Sequence, residues 1–259
     1  SFPTAFYLIA GYTESTFMAL ALGAWLATLK QRYWLAGILA FCASLTRAQG
    51  WALAVPFAYI ILERMGEPHG GFWQGIRYFL THPLEALRIG LLKSPAVIGG
   101  PLGTAAYLFG MQLAGLGNVE EAFLAPPWNT RIQAPWESII SAVRVLMNGT
   151  AVIHDIASIA VFVFLVVMGI LAIRYLKPPY WLLVFPTLFF ILLRGHETFQ
   201  FHGILRYALY MFPAFMMLAL LLKNQDRLAI RLTTGALVTL GMVLQLALVA
   251  AFSLWGWVS

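Results

Sequence analysis

The sequence predicts an all-α fold, a polytopic membrane helical bundle of about eight transmembrane helices, and three observations predict it. Of the 259 residues, 61% are hydrophobic and 10% are charged, where a soluble domain is about a quarter charged. Mean hydropathy is +0.82. Apolar runs near the ~20 helical residues that cross a ~30 Å hydrocarbon core recur along the chain. Short breaks holding Lys and Arg separate them.

In chain order the apolar runs give helices over residues 12–29, 33–46, 48–62, 95–115, 151–173, 180–193, 207–222 and 229–254. Between the third and fourth, residues 63–94 place Trp73, Leu80, Leu84, Leu87 and Leu91 among Arg77, Arg88 and Lys93. That pattern suits one or two amphipathic helices lying on the cytoplasmic leaflet. Residues 116–150 read as one long outer loop, with a Pro126-Pro127 pair, and long loops in compact proteins are often functional. No internal repeat, low-complexity tract or soluble linker divides the sequence, so residues 1–259 read as a single transmembrane domain.

Charge orients the helices. If the break at Lys30 and Arg32 is cytoplasmic, that side holds eleven Lys and Arg and the outer side five, all arginine: Arg47, Arg131, Arg144, Arg194 and Arg206. An excess of cations marks the inside. The formal charge of +6 is not gathered into a basic, aromatic-interleaved stripe, so no nucleic-acid partner is expected. One cysteine, Cys42, excludes a disulfide framework and a CxxC metal site. The chain opens on Ser1 in mid-pattern, with no initiator Met, and reads as a fragment of a longer protein.

The segments 33–46, 48–62 and 180–193 reach only about 20 Å at 1.5 Å per residue. Their outer ends are therefore expected below the membrane surface, taking Arg47 and Arg194 to membrane depth. An ionisable group there faces a wet cavity or an anionic partner by default, and the planar, permanently charged guanidinium suits phosphate. Snorkelling, or pairing with Glu14 or Glu197, explains the same arginines without a ligand. At this level also cluster Glu14, His154, Asp155, His196, Glu197, Gln200, His202, Arg206 and Tyr207. A carboxylate there can act as base on a hydroxyl, and arginine can stabilise an anionic leaving group. His196 and His202 stand at a spacing that matches no helical metal pattern, so no metal is expected. For Glu14 the helix dipole, with Thr13 or Ser15 as capping neighbours, offers a purely local explanation.

Several stretches together resemble the PIG-V-type mannosyltransferase family. They are Pro3, Gly11-Tyr12-Thr13-Glu14-Ser15-Thr16-Phe17, Leu45-Thr46-Arg47-Ala48-Gln49-Gly50, Glu121-Ala122-Phe123 with Trp128, Arg131 and Pro135, and Arg206-Tyr207 with Phe212-Pro213. They occur in the family's order from residue 3 to residue 213. The resemblance implies a GT-C-like membrane glycosyltransferase that takes mannose from a polyprenyl-phosphate sugar on the outer or luminal side. It also implies a catalytic aspartate in a first outer loop, which this chain would lack, together with the N-terminal helix, as a fragment starting downstream of them.

On that reading Arg47, then Arg206 and Arg194, hold the donor phosphate. Glu14 positions acceptor or sugar, or acts as the base. Tyr12, Trp128, Arg131, Glu197, His202 and Tyr207 contact substrate. No cofactor beyond the lipid-linked sugar donor is expected. The partners are membrane lipid, that donor, and a glycan, lipid or protein acceptor. A secondary transporter or lipid flippase, or a noncatalytic membrane subunit of a glycosylation complex, are the rivals, the first because short or broken helices with buried charges also make transport sites. Short connecting loops favour a multi-pass protein of a prokaryotic plasma membrane over one of the endoplasmic reticulum.

Overall fold

The computed structural model describes residues 13–115, 130–196, 200–201, 203–223 and isolated positions between 235 and 250. It is mostly helical. The described helices are α1 (Glu14–Leu29), α2 (Tyr33–Thr46), α3 (Ala54–Gly66), α4 (Phe72–Thr81), α5 (Pro83–Leu113), α6 (Pro135–Met147), α7 (Ile153–Tyr175), α8 (Pro178–Leu192), α9 (Ile204–Tyr207) and α10 (Phe212–Lys223). Two short strands, β1 (Thr130–Ile132) and β2 (Arg194–His196), pair antiparallel.

Among the described residues, one unbroken helix is long and apolar enough to cross a membrane. Over His154–Tyr175, in α7, mean hydropathy reaches 3.0, while only 28% of its most apolar window is buried by the rest of the chain. The core helix of a soluble protein is mostly covered by its own chain, and α7 is not, which is consistent with membrane association. Helices α1, α2 and α8 are apolar but 16, 14 and 15 residues long.

Several boundaries differ from the sequence reading, each for a local reason. The 48–62 segment starts as a 3-10 turn over Ala48–Leu53, and α3 runs on to Gly66. Lys93-Ser94-Pro95 looks like a helix stop, yet α5 passes through it and through Pro101 for 31 residues. A proline removes one backbone bond, and packing by neighbours can outweigh that. The 207–222 helix is two helices bent by 71° at Met211, because Pro213 has no N–H to donate to the Leu209 carbonyl and its ring crowds that carbonyl, so the helix cannot run on through this turn unbroken. The outer loop is not all loop: its described part holds β1 and α6, the latter opened by Pro135 at its first position. The eighth helix, 229–254, falls outside the described residues apart from isolated positions.

The chain packs as two compact units. The first holds residues 16–115 and 177–187. Its centre is the contact of α2 with α5, made by small residues: Ala36, Ala40, Ala96, Gly99 and Gly103 are buried. A Cβ on Gly99 would sit 2.2 Å from the Gly37 carbonyl oxygen, and one on Gly103 would sit 2.4 Å from that of Phe41. The backbones therefore touch, as in the small-xxx-small contacts of membrane helices. Gly50 in Thr46-Arg47-Ala48-Gln49-Gly50 is glycine for the same reason, since a Cβ would meet Ser44 Oγ at 2.2 Å.

Around that seam, Arg64 donates to the Thr28 and Leu29 carbonyls at 2.9 and 2.7 Å, satisfying the open end of α1. Trp25 packs between Phe57 and Tyr180 with ring centroids at 5.8 and 5.5 Å. Helix α4 is joined to α5 by the hydrogen bond from the Tyr78 hydroxyl to Glu85, which raises the phenol above its ordinary range.

The second unit holds residues 13–15, 130–176 and the described residues from 188 onward. There α7 packs on α9 and α10. Phe162 stacks on Phe201 at 4.4 Å, and Phe164 meets Phe215 at 6.0 Å.

Candidate functional site

The polar groups of the second unit are held by three local devices. The ribbon comes first. Arg131 faces Gly195, and Ile132 faces Arg194. The ladder continues where the Gln133 amide donates to the Leu193 carbonyl at 2.9 Å. The Gln133 side chain lies against Gly195, where a Cβ would meet its Oε1 at 2.0 Å. Gln133 Nε2 donates to Ser138 Oγ at 2.6 Å, and Ser138 donates to the Leu192 carbonyl at 2.7 Å. These bonds fix the first turn of α6 to the end of α8 and to both strands.

The second device is Asp155, which is buried. Its carboxylate accepts the Val152 amide at 3.3 Å and the Gln200 amide at 3.0 Å. One oxygen caps α7 and the other holds the turn that enters α9. That turn has two left-handed residues, Phe201 at φ 47° and Gly203 at φ 79°. A Cβ on Gly203 would lie 2.9 Å from the Tyr207 ring, so glycine lets the ring lie on the backbone. Asp155 therefore has a structural part, matching the local explanation open to a polar residue at a helix start.

The third device is the pair of residues that α9 presents in succession. Arg206 Nε lies 3.0 Å from Glu14 Oε1, with Glu14 fully buried and Arg206 18% exposed. Removing one partner of such a pair costs up to about 3–5 kcal/mol. Next to it, the Tyr207 hydroxyl accepts from Arg194, whose guanidinium carbon also lies 5.9 Å from the Tyr207 ring centroid. Two guanidiniums are thus set by one helical turn.

Arg194 in turn lines a cavity of about 420 Å³, to which both strands, α6 and the 200–201 turn contribute. Its charged lining is Arg131, Arg144, Arg194 and Glu137, with His196 and Trp136 beside them. Three arginines against one glutamate give the lining a net positive charge.

Of the residues singled out in the sequence, Glu14, Arg131, Arg194, Arg206 and Tyr207 belong to this unit. Glu14 and Arg206 are brought together, as are Arg194 and Tyr207, and Arg131 and Arg194 share the cavity. Arg47 belongs to the other unit, half-buried at the end of α2, where its extended backbone separates α2 from the following turn. Tyr12, Trp128, Glu197 and His202 lie outside the described residues. Sequence reasoning overlooked Arg144, Gln133 and Ser138 as site residues because they sat in a segment read as loop. The available signal was Pro135 followed by Ile139, Ile140 and Val143, an apolar helical spacing. Compared with protein-family models, curated proteins and solved structures, the chain gives no match.

Proposed function

We propose that the chain is a multi-pass, GT-C-like membrane glycosyltransferase that moves a mannose-type sugar from a polyprenyl-phosphate donor to an acceptor on the outer or luminal side, with inversion. The observation that carries this reading is the juxtaposition on α9. Arg206, held by buried Glu14, and Tyr207, bonded to Arg194, put two cations in the same unit as α7, whose apolar surface is largely uncovered. A lipid phosphate needs that combination of an apolar medium and fixed cations.

In the reaction, a carboxylate takes the proton of an acceptor hydroxyl and the hydroxyl oxygen bonds to the anomeric carbon. The bond from that carbon to the phosphate oxygen breaks, and its electron pair leaves on the phosphate. The departing group is an anion, so it is stabilised by guanidinium groups rather than by an acid. Glu14, already engaged by Arg206, is assigned to hold that guanidinium in place. Arg194 and Arg206 are assigned to the phosphate.

Turnover of polyprenyl-phosphate mannose in proteoliposomes tests the reading. Wild-type protein consumes the donor, and Arg194→Ala, verified as folded, loses at least about a hundredfold, the size of one lost charge-stabilising donor. Arg47→Ala in the same assay asks whether the arginine of the other unit takes part. A folded wild type that consumes no donor with any of a panel of acceptors sinks the reading. The transporter reading then gains, and one observation favours it: the 71° break between Ile204–Tyr210 and Phe212–Lys223, since broken helices build transport sites.

A further inference from the structure

We infer that the cavity between the ribbon and α6 is a phosphate-group subsite whose defining residues are Arg131 and Arg144, with Arg194 as the third cation. Arg131 stands on β1, Arg194 on β2 and Arg144 on the last turn of α6, so three arginines line the cavity from three separate backbone segments. Both Arg131 and Arg144 are exposed residues of the cavity lining, and among the described residues no ion pair or side-chain hydrogen bond engages either of them. Three cations against the single Glu137 carboxylate leave the lining with a net positive charge, which a multivalent anion relieves.

Phosphate answers this chemistry better than a carboxylate does, because its oxygens can accept from several forks at once. The scaffold is built to hold the arrangement. Gln133, Ser138 and the close approach at Gly195 fix the strands to α6, so the cations stand on an ordered frame. A volume of about 420 Å³ lies within the range of small-molecule sites, ~300–1,000 Å³. The space exceeds a bare phosphate, and Trp136, Gln133 and Ser141 line the remainder.

The phosphate has two sources, a lipid-borne headgroup or a free phosphate in the aqueous phase. The subsite does not rest on the transferase reading, so its test is binding rather than turnover. Full-length protein in nanodiscs of zwitterionic lipid is titrated calorimetrically with inorganic phosphate and, separately, with a water-soluble short-chain polyprenyl phosphate. Arg131→Ala, Arg144→Ala and Arg144→Lys are titrated alongside wild type. These side chains are exposed, and thermal unfolding of each variant verifies that the fold is retained.

At least one probe is expected to bind wild type and to weaken tenfold or more in each alanine variant, with Arg144→Lys in between because charge survives without the fork. Binding of the lipid phosphate alone assigns the lipid source; equal competition by inorganic phosphate assigns the free one. No binding of either probe, or binding unchanged by the three substitutions, overturns the proposal. Binding that obeys these expectations in a protein without transferase turnover leaves the subsite standing and removes the transferase. Donor turnover with unaltered phosphate binding in Arg144→Ala does the reverse.

Discussion

The two units solve the problem of an apolar chain in opposite ways. The first joins α2 to α5 by removing side chains, so that carbonyl oxygens of one helix meet the Cα atoms of the other at Gly37, Gly99 and Gly103. The second keeps its polar side chains and gives them protein partners: Asp155 accepts from two amides, Gln133 donates to Ser138 and Ser138 to the Leu192 carbonyl, and Glu14 forms an ion pair with Arg206. A backbone-to-backbone contact offers a ligand nothing to recognise. Polar side chains tied to backbone and to one another hold cations in place, and the candidate site belongs to the second unit.

The sharpest way to break this contrast is at the glycine seam. Gly99→Leu should prevent the α2 and α5 contact and abolish folded protein, and Gly99→Ala should cost at or beyond the upper end of the ~1–3 kcal/mol seen for overpacking, read as a fall in unfolding temperature. Full stability in Gly99→Leu would show that the seam is not needed. Glu14→Ala is expected next, at up to about 3–5 kcal/mol, through loss of the ion pair that Glu14 makes with Arg206. The double variant Glu14→Ala with Arg206→Met should recover part of that loss, and no recovery would mean that the pair is not the cause.

Asp155→Ala leaves the Val152 and Gln200 amides without their acceptor, for about 1–3 kcal/mol. Hydrogen exchange should quicken at the start of α7 and in the 200–201 turn while the protection of α2 and α5 is unchanged. Tyr207→Phe removes the hydroxyl that Arg194 donates to and should cost about 0.5–1.5 kcal/mol. Smallest of all, Arg144→Ala on an exposed face should move stability by no more than about 0.5 kcal/mol, so that any loss of phosphate binding reports the site alone.

Much of the first unit was legible in the sequence. Helix α2 runs from Tyr33 to Thr46, the bounds given by its apolar run, because Gln31-Arg32 and Arg47 stop it on both sides. Glu14, Arg194, Arg206 and Tyr207 stood out since ionisable groups beside apolar runs are conspicuous, and the structure joins them in pairs. What could not be read was their partnership. Nothing in the spacing of Glu14 and Arg206 along the chain says that they meet, nor that Asp155 serves the backbone rather than a substrate. The ribbon was also invisible, because three-residue strands carry no periodicity and their pairing partner lies over sixty residues away.

The amino-acid sequence alone determined that this chain is helical and apolar and that it carries few, widely spaced charges, because composition and local periodicity act over a few residues at a time. The tertiary structure decided which charges face each other and which face a void. Electrostatic pairing depends on distance in space, and within the second unit that distance is set by the turn that Asp155 holds at the start of α9 and by Gln133 and Ser138, which tie α6 to the end of α8 beside the ribbon.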